Sequence, residues 1–202
     1  MTPGQIFIIS GPPGAGKSSV VSQVRRLLPD LAYSISYTTR VPRPQEQNGK
    51  DYYFISQEEF QLRLQAGEII EHVRVFDNYY GTSSLYLQNT ITAGNDILLD
   101  IEVIGAASLK KKFPQAVFIF LLPPTFTELK KRLQDRNTET QEKINERLQR
   151  LAFELEQMLE HYTHLVVNSE IEQAASDVKS IITSERLKIA RLWPGIEHLW
   201  IV

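Results

Sequence analysis

The sequence predicts an α/β domain in which helices flank a parallel sheet. Three observations support this. Several short apolar runs have the length of buried strands, stripes at helical spacing lie between them, and a glycine-rich turn joins the first run to the first stripe. Ile6-Phe7-Ile8-Ile9 reads as the first strand. Val20, Val21, Val24, Leu27 and Leu28 follow at helical spacing, and Pro29 stops that helix. Residues 97–101, 117–122 and 165–167 are further apolar runs of strand length. The stripe Leu148, Leu151, Leu155 and Leu159 precedes the last run, and Ala174, Ala175, Val178, Ile181 and Ile182 follow it. Such alternation calls for right-handed crossovers between parallel strands.

Two stretches interrupt the alternation. Residues 34–83 hold β-like pieces at 51–54 and 69–73, a proline-rich turn at 41–44 and a short helix at 57–66, which together read as a small mixed α+β insertion beside the sheet. Residues 127–155 form a polar, charge-rich helical excursion. The core is then made of residues 1–33, 84–126 and 156–184. The tail, residues 185–202, carries Trp193, Trp200 and a Pro-Gly pair. It reads as a helix and an extended end packed on the core, with self-association as the other reading.

Composition narrows the function classes. A chain of 202 residues with net charge −2 has no general electrostatic reason to bind nucleic acid or an anionic membrane, and neither is expected as a partner. Any phosphate site must therefore be built from a local cluster of Arg and Lys. The absence of cysteine excludes disulfides and thiolate metal sites. No apolar run is long enough to span a bilayer and the first residues do not have the pattern of a signal peptide, so a cytoplasmic protein is expected. His161 and His164, with no cysteine nearby, read as surface or packing residues rather than metal ligands. Monomer and homo-oligomer both stay open.

Gly11-Pro12-Pro13-Gly14-Ala15-Gly16-Lys17-Ser18 matches G-x-x-x-x-G-K-[ST] in full, and it sits after a strand and at the start of a helix. Glycines let backbone N–H groups converge on phosphate oxygens, and the helix N-terminus adds partial positive charge. Lys17 is placed to neutralise the β- and γ-phosphates of a nucleoside triphosphate, and Ser18 to ligate Mg2+. A carboxylate at the end of a neighbouring strand normally works with such a loop. Asp100, closing Ile97-Leu98-Leu99-Asp100, supplies one and is expected to hold Mg2+ partly through water.

The insertion is dense in groups that donate to oxyanions: Ser36, Arg40, Arg43, Tyr52 and Tyr80. Its segments Ser36-Tyr37-Thr38-Thr39-Arg40-Val41-Pro42-Arg43-Pro44, Asn48-Gly49-Lys50-Asp51-Tyr52-Tyr53-Phe54, Gly67-Glu68-Ile69-Ile70-Glu71 and Asn78-Tyr79-Tyr80-Gly81-Thr82-Ser83 resemble, in order and spacing, the successive motifs of guanylate kinases. With the phosphate loop, Asp100 and the segment of Arg132 and Arg136, the resemblance covers roughly residues 5–184.

The resemblance implies a P-loop kinase core, a GMP-binding insertion at 34–83 and a helical lid at 127–155, with ATP phosphorylating GMP or dGMP in the presence of Mg2+. It assigns ATP to residues 11–18 with Ser19, Arg132 and Arg136. It assigns the acceptor phosphate to Ser36, Arg40, Arg43, Tyr52 and Tyr80, and the guanine to Glu71, Thr82 and Glu102, with Asp100 close to phosphates and metal. Lys17, Arg40, Arg136 and Arg147 are the residues it makes catalytic, by placing positive charge around the transferred group. The chemistry of Glu71 fits this. Guanine presents N1–H and a 2-amino group side by side, and a carboxylate accepts from both, whereas adenine would leave it unpaired. The sequence departs from the usual family pattern at Glu102, Ile104, Asn137 and Ser169. A relative with another acceptor, or a non-catalytic interaction module of the same fold, are the competing readings. The first should lose the guanine-reading carboxylate or the Asn-Tyr-Tyr-Gly segment, and the second should lose Lys17 or the insertion arginines; all are retained here.

Overall fold

The computed structural model describes residues 2–75, 77–135 and 141–200, with the side chains of 141–147 outside that description. The apolar runs become β1 (Ile6–Ser10), β7 (Ile97–Asp100), β8 (Val117–Leu122) and β9 (His164–Val167), with a further strand, β2 (Ala32–Ser34). They form a five-stranded parallel sheet in the order β2-β7-β1-β8-β9. β1 lies at its centre and is buried along its whole length. Side chains alternate across it as the pleat demands. Phe7 and Ile9 pack with α1 (Lys17–Leu27) and α7 (Ile171–Arg186) on one face, through Val20, Val24, Ala174 and Val178. Ile6 and Ile8 pack on the other face with α3 (Ser84–Thr92) and α4 (Val103–Lys112), through Leu87, Ala106 and Leu109.

β2 adds a strand that the sequence reading lacks. It has three residues at a sheet edge and pairs only with β7, so it has no continuous apolar run to mark it.

The insertion contains β3 (Tyr37–Thr38), β4 (Tyr53–Phe54), α2 (Gln57–Gln65), β5 (Ile69–Val75) and β6 (Asn78–Ser83). Its four strands lie in the order β4-β3-β6-β5. β5 and β6 are antiparallel, and their register shifts between Ile69, which faces Ser83, and Glu71, which faces Thr82. Ile70 is therefore a bulge residue, and it brings Glu71 opposite Thr82 rather than Gly81.

The charged excursion forms α5 (Phe126–Asp135) and α6 (Gln141–His161). The two helices meet through Leu129, Leu133, Leu148 and Leu151. Leu159, expected on the same apolar stripe, is 81% exposed, while Glu154 is buried. The packed face of the second half of α6 follows Leu151, Glu154 and Met158, and Leu159 lies about 100° round the helix from Met158.

The tail also differs from expectation. The expected helix is there, α8 (Ile189–Ile196), but a 3-10 turn at Glu197–Leu199 stands in place of the extended end. None of the residues of α8 is buried, and Trp193 and Trp200 point outward. Ion pairs hold the segment instead of apolar packing. Asp96 accepts from Arg186 Nε at 2.7 Å, from Arg191 Nη2 at 2.7 Å and from the Gln5 backbone N–H at 2.7 Å. Among the described residues no helix is long and apolar enough to cross a membrane.

Candidate active site

β1 ends at Ser10, and the chain turns through residues 11–16 before α1 begins at Lys17. Gly16 caps this helix in the left-handed region, at φ 87°, a conformation that L side chains rarely adopt. It also lies against Asn168, whose Nδ2 a Cβ at residue 16 would strike. Asn168 is buried at the end of β9 and donates from Nδ2 to the Ala15 carbonyl at 2.7 Å. The last strand of the sheet thus holds the shape of the first loop. Lys17 Nζ reaches back across the loop to the Gly11 carbonyl, at 2.7 Å.

One cleft joins this loop to the insertion. Pro12, Pro13, Gly14, Gly16, Lys17 and Ser18 form one wall, and Ser36, Arg43, Tyr52, Glu71 and Tyr80 the opposite one. Asp100 and Glu102, at the C-terminal end of β7, form the floor. Parallel α/β sheets carry ligands at this end, where strands turn into helix N-termini. Residues far apart in sequence therefore converge where a phosphate loop requires them.

Glu71 is only 5% exposed, yet it lines the cleft. Its Oε1 accepts from Thr82 Oγ1 at 2.5 Å, the contact that the bulge at Ile70 makes possible. Its Oε2 is buried with no hydrogen-bond partner. Burial pushes the carboxyl up to about 7, with Glu102 adding to the effect and Thr82 and Lys112 opposing it. Thr82 itself is fully buried beneath the cleft. Burial likewise raises Asp100 to about 6, against the pull of the Lys17 ammonium. Tyr52 is raised by burial and by Asp100.

Arg40 is not among the residues that line this cleft. Its Nη2 donates to both oxygens of Glu46, at 2.8 and 2.9 Å, and its Nη1 to the Val41 carbonyl at 2.9 Å. The guanidinium lies over the Tyr52 ring, 5.5 Å from the centroid. Glu46 also accepts from the Arg43 backbone N–H at 2.8 Å. Burial pushes the Glu46 carboxyl up, but these donors hold it below its ordinary value. Arg43 keeps a mostly exposed side chain on the cleft wall. Sequence reasoning passed over Glu46; an acid so close to two arginines in one loop was the available signal.

On the other side of the loop lies a recess lined by Gly14, Gly16, Ser19, Arg132, Asn168 and Ser169. Arg132 donates from Nε to Glu128 at 2.8 Å and from Nη2 to the Asn168 carbonyl at 3.2 Å, which fixes α5 to the end of β9. Arg136 and the side chain of Arg147 lie outside the described residues. Among the described residues no group of three His, Asp or Glu side chains could cage a metal ion.

The family model for guanylate kinase matches residues 4–185. A guanylate kinase of Desulfitobacterium hafniense is 45% identical over 188 residues, covering 93% of this chain and 94% of that protein. One from Thermotoga maritima is 42% identical over 195 residues, covering 96% of this chain and 94% of its own. The crystal structure of a guanylate kinase from Anaplasma phagocytophilum superposes with a TM-score of 0.78 at 34% identity, covering 94% of this chain and 90% of that one.

Proposed function

The chain belongs to the guanylate kinase family, and from that premise we propose how its residues move a phosphoryl group from ATP to GMP or dGMP, giving ADP and GDP or dGDP. The observation that carries the reading is a single cleft with a phosphate loop on one wall and a buried, half-satisfied carboxylate on the other.

The donor triphosphate lies on residues 11–18 with Ser19, and its adenosine end extends toward the recess beside Arg132 and Asn168. The Lys17 ammonium, one hydrogen bond from the Gly11 carbonyl, turns to the β- and γ-phosphates. Ser36, Arg43, Tyr52 and Tyr80 take the acceptor phosphate. Arg40, behind the Tyr52 ring, supplies positive charge from the second layer and shares its fork with Glu46. Glu71 accepts N1–H and the 2-amino group of guanine, with Thr82 fixing one oxygen and Glu102 on the cleft floor.

In the transfer, a GMP phosphate oxygen forms a bond to the γ-phosphorus in line. The bond from that phosphorus to the β,γ-bridging oxygen breaks, and its electron pair leaves with ADP. Positioning and cationic stabilisation do most of this work. Lys17 contributes from the loop, and Arg132, Arg136 and Arg147 from the lid.

Ser18 and Asp100 open on the same cleft. One hydroxyl and one carboxylate suit a small hard cation that completes its shell with water and phosphate oxygens, so these two residues would hold Mg2+. When bound, the ion neutralises charge on the β- and γ-phosphate oxygens.

Release of ADP, followed by a coupled assay with GMP, dGMP, AMP, UMP and CMP as acceptors, tests the reading. Guanine nucleotides should be preferred by roughly 10⁴-fold, the scale set by a buried acceptor left without its donors. Equal turnover of AMP would remove Glu71 from the base site.

A further inference from the structure

Gly105 sits in the first turn of α4, a helix capped by Glu102. A glycine there is unexpected on local grounds. Its backbone is not in the left-handed region, and alanine is the better helix former. A turn or a strained φ therefore cannot account for it. Its surroundings can. A Cβ built on Gly105 would stand well inside the contact distance of Glu71 Oε2 and 3.1 Å from Glu71 Cδ. The obstructed group is a carboxylate held on its far side by Thr82, not the loose end of a surface chain. Gly67 and Gly195, in contrast, have nothing within 4 Å of their Cβ positions.

The two contacts act on different oxygens. Thr82 ties Oε1, and the bare Cα of Gly105 admits Oε2, the oxygen left without a protein partner. The helix N-terminus that Gly105 belongs to also favours negative charge close to its first turn. Lys112, at the far end of the same helix, donates to the Ile70 carbonyl beside Glu71 and keeps α4 against β5. Helix, bulge and carboxylate thus form one closely fitted unit.

We propose that Gly105 is a specificity-determining position, whose missing side chain leaves the space in which the Glu71 carboxylate stands to read guanine. This rests on the assignment of Glu71 to the base. A methyl group at residue 105 would turn the carboxylate away from the line of N1–H and the 2-amino group while leaving the phosphate loop untouched. Gly105 is a positioning residue, acting through Glu71.

Steady-state kinetics of Gly105→Ala with GMP and with IMP, which lacks the 2-amino group, provide the test, with circular dichroism to follow folding. The KM for GMP should rise on the order of 100-fold, the scale of losing hydrogen bonds to a charged group. The KM for ATP should stay unchanged and the preference for GMP over IMP should collapse. In the Glu71→Ala background, Gly105→Ala should have no further effect on the GMP/IMP ratio. In the double variant Gly105→Ala/Glu71→Asp, the shorter acid clears the methyl, and part of the ratio should return; this also covers a single variant that fails to fold. An unchanged KM for GMP in Gly105→Ala would overturn the proposal, as would a penalty of equal size in the Glu71→Ala background or a double variant that restores nothing. If Glu71→Ala alone preserves the guanine preference, the base assignment fails and takes the role of Gly105 with it. If Glu71→Ala abolishes the preference and Gly105→Ala does not, only the role of Gly105 fails.

Discussion

A carboxylate removed from water keeps its proton to higher pH, and Glu71 is raised by burial from 4.5 to about 7. The sign follows from proton binding. Between pH 4.5 and 7 the folded chain holds a proton that the unfolded chain has released, so stability falls as pH rises through this window. The benefit is fully present below 4.5 and absent above 7. Recognition of guanine runs the other way, because only the ionised carboxylate accepts from both guanine donors. The KM for GMP should therefore rise as pH falls from 7 toward 6, approaching about tenfold per unit, while Glu71→Gln loses that dependence. A KM for GMP that stays flat from pH 8 to 6 would contradict an ionised Glu71 at the base. At this scale the sequence showed the residue but not its setting. Glu71 and Thr82 stand in readable motifs, but the bond between them and the space that Gly105 leaves for the other oxygen arise only in the fold. Asn168 and Ala15, 153 residues apart, meet only in the fold.

Elements were legible in proportion to their burial. β1, β7 and β8 are almost wholly buried, and their apolar runs need no alternation to be seen. β2 and β3 have three and two residues, too few for any period to show, while β4 lies inside the β-like piece at 51–54. β6 was hidden for another reason: Asn78-Tyr79-Tyr80-Gly81-Thr82-Ser83 is chosen for what it presents to the cleft and to Glu71, not for apolar alternation. Ser56 followed by Glu59 has the spacing of a capping box, and Ser56 Oγ accepts from the Glu59 N–H at 3.1 Å. Ser56→Ala should lower stability by about 1 kcal/mol in urea unfolding. It should leave turnover unchanged, since α2 meets the insertion sheet through Phe60 and contributes nothing to the cleft wall. A loss of activity at unchanged stability would show that α2 has a part in the reaction.

For the molecule as a whole, the two walls of the cleft belong to different layers, the phosphate loop to the five-stranded sheet and the acceptor groups to the four-stranded one. Donor and acceptor must come within about 3–3.5 Å for transfer, with water kept out. Closure of the insertion and of α5–α6 over bound nucleotides is the expected motion. Small-angle scattering should show a smaller radius of gyration with GMP and a non-hydrolysable ATP analogue together than with neither; an unchanged curve would argue for a preformed closed cleft. The parallel sheet with its flanking helices was legible from the alternation. The way the tail is held was not, because Asp96, Arg186 and Arg191 form no local pattern. Their cluster sits just before β7, at the end of the strands opposite to the one where Asp100 opens on the cleft. A protein held on a sensor chip through a side chain of α8 would thus be anchored at its base, with the cleft facing the flow.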